Sequence, residues 1–264
     1  MNNDKRSFFQ EEQENMIMTL LKNNGCVSVE EITQMVNVSP STARIRLNSM
    51  SERGLLTRTH GGAVMKELSI NNFIATKEIP NLREKEAVAR AARKTVQDGD
   101  IIAVGGGMTT LVFAQALHGI KNLTVVTSSI FVANELISDP DIQVRISGGV
   151  LNRRTGGCFG PTAENFFNSI FVSKSYNSVD SITAEHGFTL HDADARTDKA
   201  LISCARERYT LADHTKLFMG PFLDPISSFS EVRALIIDSG ADTHILTKLR
   251  EAGLNIIVAE MADK

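Results

Sequence analysis

Apolar residues are spaced in two ways along the chain, and the change comes near residue 81. Before it they recur at helical spacing in short blocks. Ile17, Leu20 and Leu21 form one stripe, which predicts a helix over roughly Phe8–Asn23 stopped by Gly25. Ser28 followed by Glu31 is a capping box that starts a second helix at Val29, with Ile32, Met35 and Val36 on one face. Asn37-Val38-Ser39 interrupts the pattern, and Pro40 opens a third helix at a position where its missing N–H is no loss. There Ala43, Leu47 and Met50 recur at i, i+4, i+7 and face inward, so Ser41, Ile45 and Asn48 face outward, with Thr42 and Arg44 on the flanks. The first helix is expected to pack beneath this one. After Gly54, Leu55–Val64 alternates β-formers around Gly61-Gly62, the pattern of a short hairpin wing.

From residue 81 onward, short apolar runs alternate with amphipathic helical patterns. Strands are expected at Ile101–Val104, Leu123–Val126, Val144–Ile146, Tyr209–Ala212, Ala234–Ile237 and Asn255–Val258. Helices are expected at Leu82–Val96, Leu111–Leu117, Phe131–Ile137, Asp198–Arg206 and Asp242–Ala252. Such alternation predicts an α/β domain with a mainly parallel sheet. The expected organisation is therefore a winged helix-turn-helix at 1–65, a linker at 66–80 that contains Asn71-Asn72 and ends at Pro80, and an α/β domain at 81–264.

Charge sharpens the reading of the front part. The whole chain carries −3, but Pro40–Lys66 holds Arg44, Arg46, Arg53, Arg58 and Lys66 against Glu52 alone, a local balance of +4. An outward helix face bearing Ser41, Ile45 and Asn48 suits a major groove. Asn and Ser bond base edges, Ile45 meets a thymine methyl, and Arg44 reaches guanine or phosphate. Arg58 and His60 in the wing would lie along the DNA backbone. The modest charge suggests that paired copies hold operator DNA together, as a dimer or tetramer. The bland alternative for Ser28–Val64 is a small helical module that binds another protein.

The three cysteines, Cys26, Cys158 and Cys204, are far apart and form no ligand or redox motif, so a reducing cytoplasm is expected. The polar N-terminus and the lack of a long apolar run predict neither signal peptide nor membrane span.

In an open parallel sheet, ligands bind beyond the carboxyl ends of the strands. After the first strand of the α/β part comes Gly105-Gly106-Gly107-Met108-Thr109-Thr110, opening a helix whose N–H groups suit an anion. Thr127-Ser128-Ser129 follows the second strand and Ser147-Gly148-Gly149 the third. Asp213-His214-Thr215-Lys216 follows the Tyr209 strand, with a lysine to neutralise phosphate. Together these fit a small, phosphorylated, hydroxyl-rich ligand, with no cofactor. A dinucleotide is disfavoured, because Thr110 stands where a third glycine belongs and the second strand ends without an acidic ribose partner.

As a set these residues resemble the DeoR family of bacterial transcriptional repressors over nearly the whole chain. Ser39-Pro40-Ser41-Thr42-Ala43-Arg44 is similar to that family's recognition helix, and Leu55–Ala63 to its most specific signature. The resemblance implies a sensor domain similar in fold to ribose-5-phosphate isomerase, with a sugar phosphate as inducer of a carbohydrate-utilisation operon. The helix face and wing, taken with the resemblance, give the expected DNA contacts as Ser39, Ser41, Thr42, Arg44, Ile45, Arg46, Asn48, Arg58 and His60. The strand-end residues, taken with the resemblance, give the expected effector contacts as Gly106, Gly107, Met108, Thr109, Thr110, Thr127, Ser128, Ser129, Gly148, Gly149, Asp180, Lys199 (with Gly187-Phe188-Thr189), Asp213 and Lys216. The chain departs from the family pattern at Ile45-Arg46, Gly105, Met108, Ser178-Val179-Asp180-Ser181 and Ala195, which points to its own operator sequence and a reshaped pocket.

Two rivals are weighed. A sugar-phosphate isomerase with a DNA-binding appendage would need a carboxylate base, for which Asp180 is the one candidate, placed beside two serines and better suited to a ligand hydroxyl. A metal site from His186, His191, Asp192 and Asp194 follows no common ligand spacing, and no metal is expected.

Overall fold

The computed structural model describes residues 13–14, 16–21, 26–53, 55–59, 61–65, 79–153, 155–190, 195–217 and 224–261. The expected helix start at Phe8 and stop at Gly25, His60, linker residues 66–78, and His191, Asp192 and Asp194 lie outside them. The chain divides into two compact units, Met1–Lys77 and Glu78–Lys264.

In the first unit residues 16–21 are helical, followed by β1 (Cys26–Ser28), α1 (Val29–Val36), α2 (Pro40–Glu52), β2 (Leu56–Arg58) and β3 (Gly62–Met65). The capping box forms as expected: Glu31 N–H donates to Ser28 Oγ at 3.1 Å, and Ser28 N–H donates to the Glu31 carboxylate at 2.7 Å. Asn37, at φ 51°, ends α1 in the left-handed region that asparagine tolerates. Ile17, Leu21, Ile32, Leu47 and Met50 are fully buried in one core, which sets the first helix beneath α2. Met35 departs from expectation, being 47% exposed. The inner stripe of α1 is Val29, Ile32 and Val36, and Met35 falls to one side of it. Strand β1 was not legible, because three residues carry no periodicity; it earns its place by pairing antiparallel with β3, which also pairs with β2. That pairing explains Gly62, where a Cβ would sit 1.9 Å from the Val27 carbonyl oxygen.

The second unit holds α3 (Leu82–Arg93), β4 (Ile101–Val104), α4 (Met108–Gln115), β5 (Leu123–Thr127), α5 (Ile130–Leu136) and β6 (Ile142–Ile146). The hairpin strands β7 (Val150–Leu151) and β8 (Cys158–Phe159) lead to α6 (Pro161–Asn168), β9 (Val172–Ser178), β10 (Ser181–Thr183) and β11 (Gly187–Leu190). Then come α7 (Ala195–Ser203), β12 (Ala205–Ala212), β13 (Asp224–Ser227), β14 (Ala234–Asp238), α8 (Thr243–Glu251) and β15 (Ile256–Ala259). Seven strands form one sheet in the order β15-β14-β12-β9-β4-β5-β6, every pair parallel. Each parallel step needs a crossover, which helices supply except between β12 and β14, where β13 lies in the connection.

Both sheet faces are buried, and alternate residues of one strand enter different cores. Ala234 and Ile236 pack with Val88, Phe113 and Leu117 from α3 and the α4 region, whereas Leu235 and Ile237 pack with Leu246 and Leu249 of α8. On the second face Ala103 and Val126 meet Phe167 of α6 and Leu201 of α7. The β10, β11 and β13 strands make a small antiparallel sheet beside this layer. Cys158 and Cys204 are free and buried, and burial pushes the Cys204 thiol up to about 11.

The six expected strands are present, but the middle strand, β9, was not foreseen. Its sequence, Val-Ser-Lys-Ser-Tyr-Asn-Ser, is too polar to read as a buried run. The structure explains this: Lys174 reaches Asp100 at 2.6 Å at one end, and Ser178 bonds the glycine loop at the other. Helix α6 was also missed, and β12 begins at Ala205, so the helix expected over Asp198–Arg206 is instead Ala195–Ser203. Among the described residues no helix is long and apolar enough to cross a membrane.

Candidate functional site

In the first unit the outward face of α2 forms as the pattern predicts. Ala43, Leu47 and Met50 anchor it, Ser41, Arg44 and Asn48 are exposed, Thr42 is half-buried, and Ile45 is 70% exposed. What sets Ile45 apart from other exposed apolar side chains is its company, since it shares one helix face with Ser41, Arg44 and Asn48. Ser39 caps the helix, accepting from Thr42 N–H at 3.1 Å and bonding the hydroxyls of Ser41 and Thr42 at 2.8 Å each. Arg58 of the wing donates through Nε to Asn48 Oδ1 at 2.9 Å and also bonds the Gly62 carbonyl, tying wing to helix. Arg46 sits apart from this surface. It is half-buried and donates to Gln13 on the N-terminal helix, so its place in the expected reading set is corrected to a brace between helices. Arg53 makes a similar brace to Glu14 at 2.5 Å.

In the second unit the residues expected at the carboxyl edge of the sheet do gather there, with different burdens. Gly107 has φ 121°, and a Cβ on it would lie 2.3 Å from Ser178 Oγ. Ser178 Oγ in turn donates to the Gly106 carbonyl at 2.9 Å. This clasp opens α4 with no side-chain cap on its first N–H groups, while Gly107 is exposed and Gly106 and Met108 are half-buried. An uncapped helix start beside bare glycines is an anion site in form. Thr109 and Thr110 are buried, and Thr110 Oγ1 turns back to the Gly107 carbonyl at 3.0 Å.

Thr127, Ser128 and Ser129 are buried and stitched. Thr127 Oγ1 accepts from Ser129 N–H at 2.9 Å, the Ser128 carbonyl accepts from Cys158 N–H at 2.8 Å, and Ser129 caps α5. These hydroxyls shape the edge rather than facing outward from it, which corrects the expectation of direct contact for the Thr110 and Thr127 side chains. Gly148 and Gly149 both have positive φ, and a Cβ on Gly149 would lie 2.6 Å from the Phe159 carbonyl oxygen, so the diglycine seats the β7/β8 hairpin.

Asp180 and Lys216 come together, with Nζ 3.9 Å from Oδ1 at side-chain exposures of 42% and 30%. Asp213 does not join them. Its carboxylate is fully buried, held by Lys85 Nζ at 2.7 Å, by Asn81 Nδ2 at 3.3 Å and by Thr215 N–H at 3.2 Å. Burial would raise the Asp213 carboxyl, but the hydrogen bonds from Lys85 and Thr215 and the lysine charge outweigh it and hold the pKa below the ordinary value. Asp213 is thus corrected from ligand contact to keystone, and the lysine that engages it was missed because nothing in an amphipathic helix marks one lysine as buried. Lys199 is corrected as well: it is exposed on α7 over a separate cleft of about 610 Å³, with His186, Ser203, Ser228 and Glu231. A second missed pair lies one turn from Lys216. His214 Nδ1 lies 2.8 Å from Asp238 Oδ2, and Gly240 N–H donates to the same oxygen at 2.9 Å. Among the described residues no cluster of three or more His, Cys, Asp and Glu side chains is placed to hold a metal.

Comparison with known proteins follows the same division. Residues 13–68 match the DeoR-like helix-turn-helix domain, and residues 80–239 match the DeoR C terminal sensor domain. The HTH-type transcriptional regulator GolR of Listeria innocua is 31% identical over 252 residues, covering 94% of this chain and 98% of the relative. The Glycerol-3-phosphate regulon repressor of Escherichia coli is 30% identical over 245 residues, covering 92% and 96%. Among solved structures, ribose 5-phosphate isomerase from Methanocaldococcus jannaschii aligns with a TM-score of 0.37 at 18% identity, over 50% of this chain and 53% of that one.

Proposed function

This chain belongs to the DeoR family of transcriptional regulators, and from that premise we propose that residues 1–65 read operator DNA, residues 81–264 bind a phosphorylated sugar, and residues 66–80 join the two. The family is one of regulators rather than enzymes, so Asp180 is given a binding role. The observation that carries the DNA reading is the outward face of α2, where Ile45 stands exposed between Arg44 and Asn48 on a helix whose other face is core. Ile45 meets a thymine methyl, Ser41 and Arg44 contact base edges or phosphate, and Ser39 and Thr42 fix the helix start against the backbone. Arg58, steered by Asn48, and His60 follow the phosphates of the adjacent groove.

In the second unit the effector's phosphate lies at Gly106–Thr110, on the open N–H groups of α4, with Lys216 supplying charge and Asp180 accepting from a ligand hydroxyl. The backbone of Thr127–Ser129 and Gly148-Gly149 completes the rim. The protein acts in the cytoplasm as a dimer or tetramer that presents paired recognition helices about one DNA turn apart. Effector binding favours a geometry that misaligns them, and repression is lifted. A tenfold loss of operator affinity requires the effector to distinguish the two geometries by only about 1.4 kcal/mol.

Selection from a pool of randomised duplexes tests the first half. Enrichment of a sequence with two-fold symmetry is expected, and a pool that stays random overturns it. Repeating the binding with three- to six-carbon sugar phosphates tests the second half, where at least one must change the enriched duplex's affinity.

A further inference from the structure

We propose that Asn177 and Thr210, on the two central strands of the sheet, read the uncharged hydroxyl groups of the effector, an assignment that rests on the sugar-phosphate reading above. Asn177 is 1% exposed and Thr210 not at all, and they are direct register partners across β9 and β12. Neither end of the Asn177 carboxamide has a hydrogen-bond partner among the described residues, nor does Thr210 Oγ1. Three polar atoms are thus buried side by side unpaired, where a leucine and a valine of similar volume would pack at no polar cost. Such groups are uncommon in native interiors, because each gives up its water and gains nothing in return.

Their position supplies the reason. Asn177 directly precedes Ser178, whose hydroxyl clasps the Gly106 carbonyl, and follows Tyr176, whose carbonyl accepts from Gly105 N–H at 2.8 Å. Gly105 lies alongside: a Cβ there would fall 3.7 Å from Asn177 Cβ. Asn177 therefore sits directly behind the loop that takes the phosphate, with only a glycine between the two backbones. The chemistry is also selective. A carboxamide offers two donors and an acceptor and a hydroxyl one of each, all without charge, which suits sugar hydroxyls or a carbonyl and leaves the neutralising of an anion to Lys216. The effector is therefore divided between two sets of groups, phosphate on the helix start and Lys216, polyol on Asn177 and Thr210.

The test uses the full chain with inorganic phosphate, dihydroxyacetone phosphate, ribose 5-phosphate and fructose 6-phosphate, reading thermal shift and calorimetric affinity. Asn177→Leu is expected to melt no lower than wild type before any addition, to keep its response to inorganic phosphate, and to lose roughly tenfold or more in affinity for the sugar phosphate that wild type binds best. Thr210→Val gives a second reading should the leucine variant not fold. If both variants bind that sugar phosphate as wild type does, the assignment is overturned while the proposed function stands. Parallel loss of inorganic phosphate also overturns it, since the loop itself would then have moved. If wild type responds to none of the three sugar phosphates, the effector reading fails and takes this assignment with it.

Discussion

Lys85 Nζ lies 2.7 Å from Asp213 Oδ2, the lysine side chain 6% exposed and the carboxylate not at all. The ammonium also donates to the Pro80 carbonyl at 2.6 Å, so one buried charge fixes the entry of the second unit to the end of its longest strand. Breaking one side of such a pair leaves the other charge buried and uncompensated. Lys85→Met is therefore expected to destabilise the second unit by about 3–5 kcal/mol, measured by urea denaturation.

The same pair sets an acid limit. Asp213 titrates below its ordinary value in the folded state, so its contribution to stability is present above the unfolded value of about 3.9 and is lost as pH falls through the folded one. Denaturation midpoints of the wild type should drop across that acid window. Replacing both partners, as Lys85→Met with Asp213→Leu, should flatten the drop, and an unchanged acid limb would assign it to other carboxylates.

Ile45→Ala removes a side chain that is 70% exposed and outside the core of its unit. The melting temperature should stay near that of wild type, within the ~0.5 kcal/mol usual for surface changes, while affinity for the selected operator falls by about 1–2 kcal/mol. Fluorescence anisotropy on the selected duplex, with the thymine nearest the helix replaced by uracil, checks the assignment. The wild-type protein should lose affinity on the uracil duplex and the alanine variant should not.

Arg58 and Asn48 make a different demand. If Arg58 lies along phosphate, Arg58→Ala should lower the slope of log affinity against log salt by about one and weaken all duplexes alike. Asn48→Ala frees the guanidinium from its 2.9 Å tether, and a loss of sequence preference exceeding the loss of affinity is expected. Equal losses on matched and scrambled duplexes would return Asn48 to a purely structural role.

Gly107→Ala places a Cβ 2.3 Å from Ser178 Oγ at φ 121°, so both a collision and backbone strain are introduced. Destabilisation of roughly 2 kcal/mol or more is expected from the two together. Adding Ser178→Ala removes the collision and leaves the strain, so the double variant should recover part of the loss. A strictly additive cycle would mean that loop and serine do not press on each other.

The helix-turn-helix was legible because its helix starts and its turn are made by local side chains: Ser28 with Glu31, Asn37, Ser39 and Pro40 each act on neighbours within one turn. Strands β4, β5 and β14 of the large sheet were legible for a related reason, since a strand covered on both faces must be largely apolar. Strand β9 was not, because its polar residues answer to partners some seventy residues away, Lys174 to Asp100 and Ser178 to Gly106. The candidate site divides along the same line. The glycine loop and Lys216 announce themselves by type and place, whereas Asp213 could be assigned only once Lys85, at a separation of 128, was seen to face it. Arg46 and Lys199 show the converse: a basic residue in the expected neighbourhood can still point to Gln13 or to another cleft.

The central place of β9 also governs how the sheet comes into being. On one side it pairs with β4, whose residues have long been made by the time β9 is; on the other it pairs with β12, which is made later. During synthesis the early strands can align as a short parallel ribbon, but β9 must wait with its far edge bare until residues beyond 205 emerge. Any message truncated before that point yields a ribbon with an open, hydrogen-bond-hungry margin, a product suited to aggregation or proteolysis rather than to a half-working sensor.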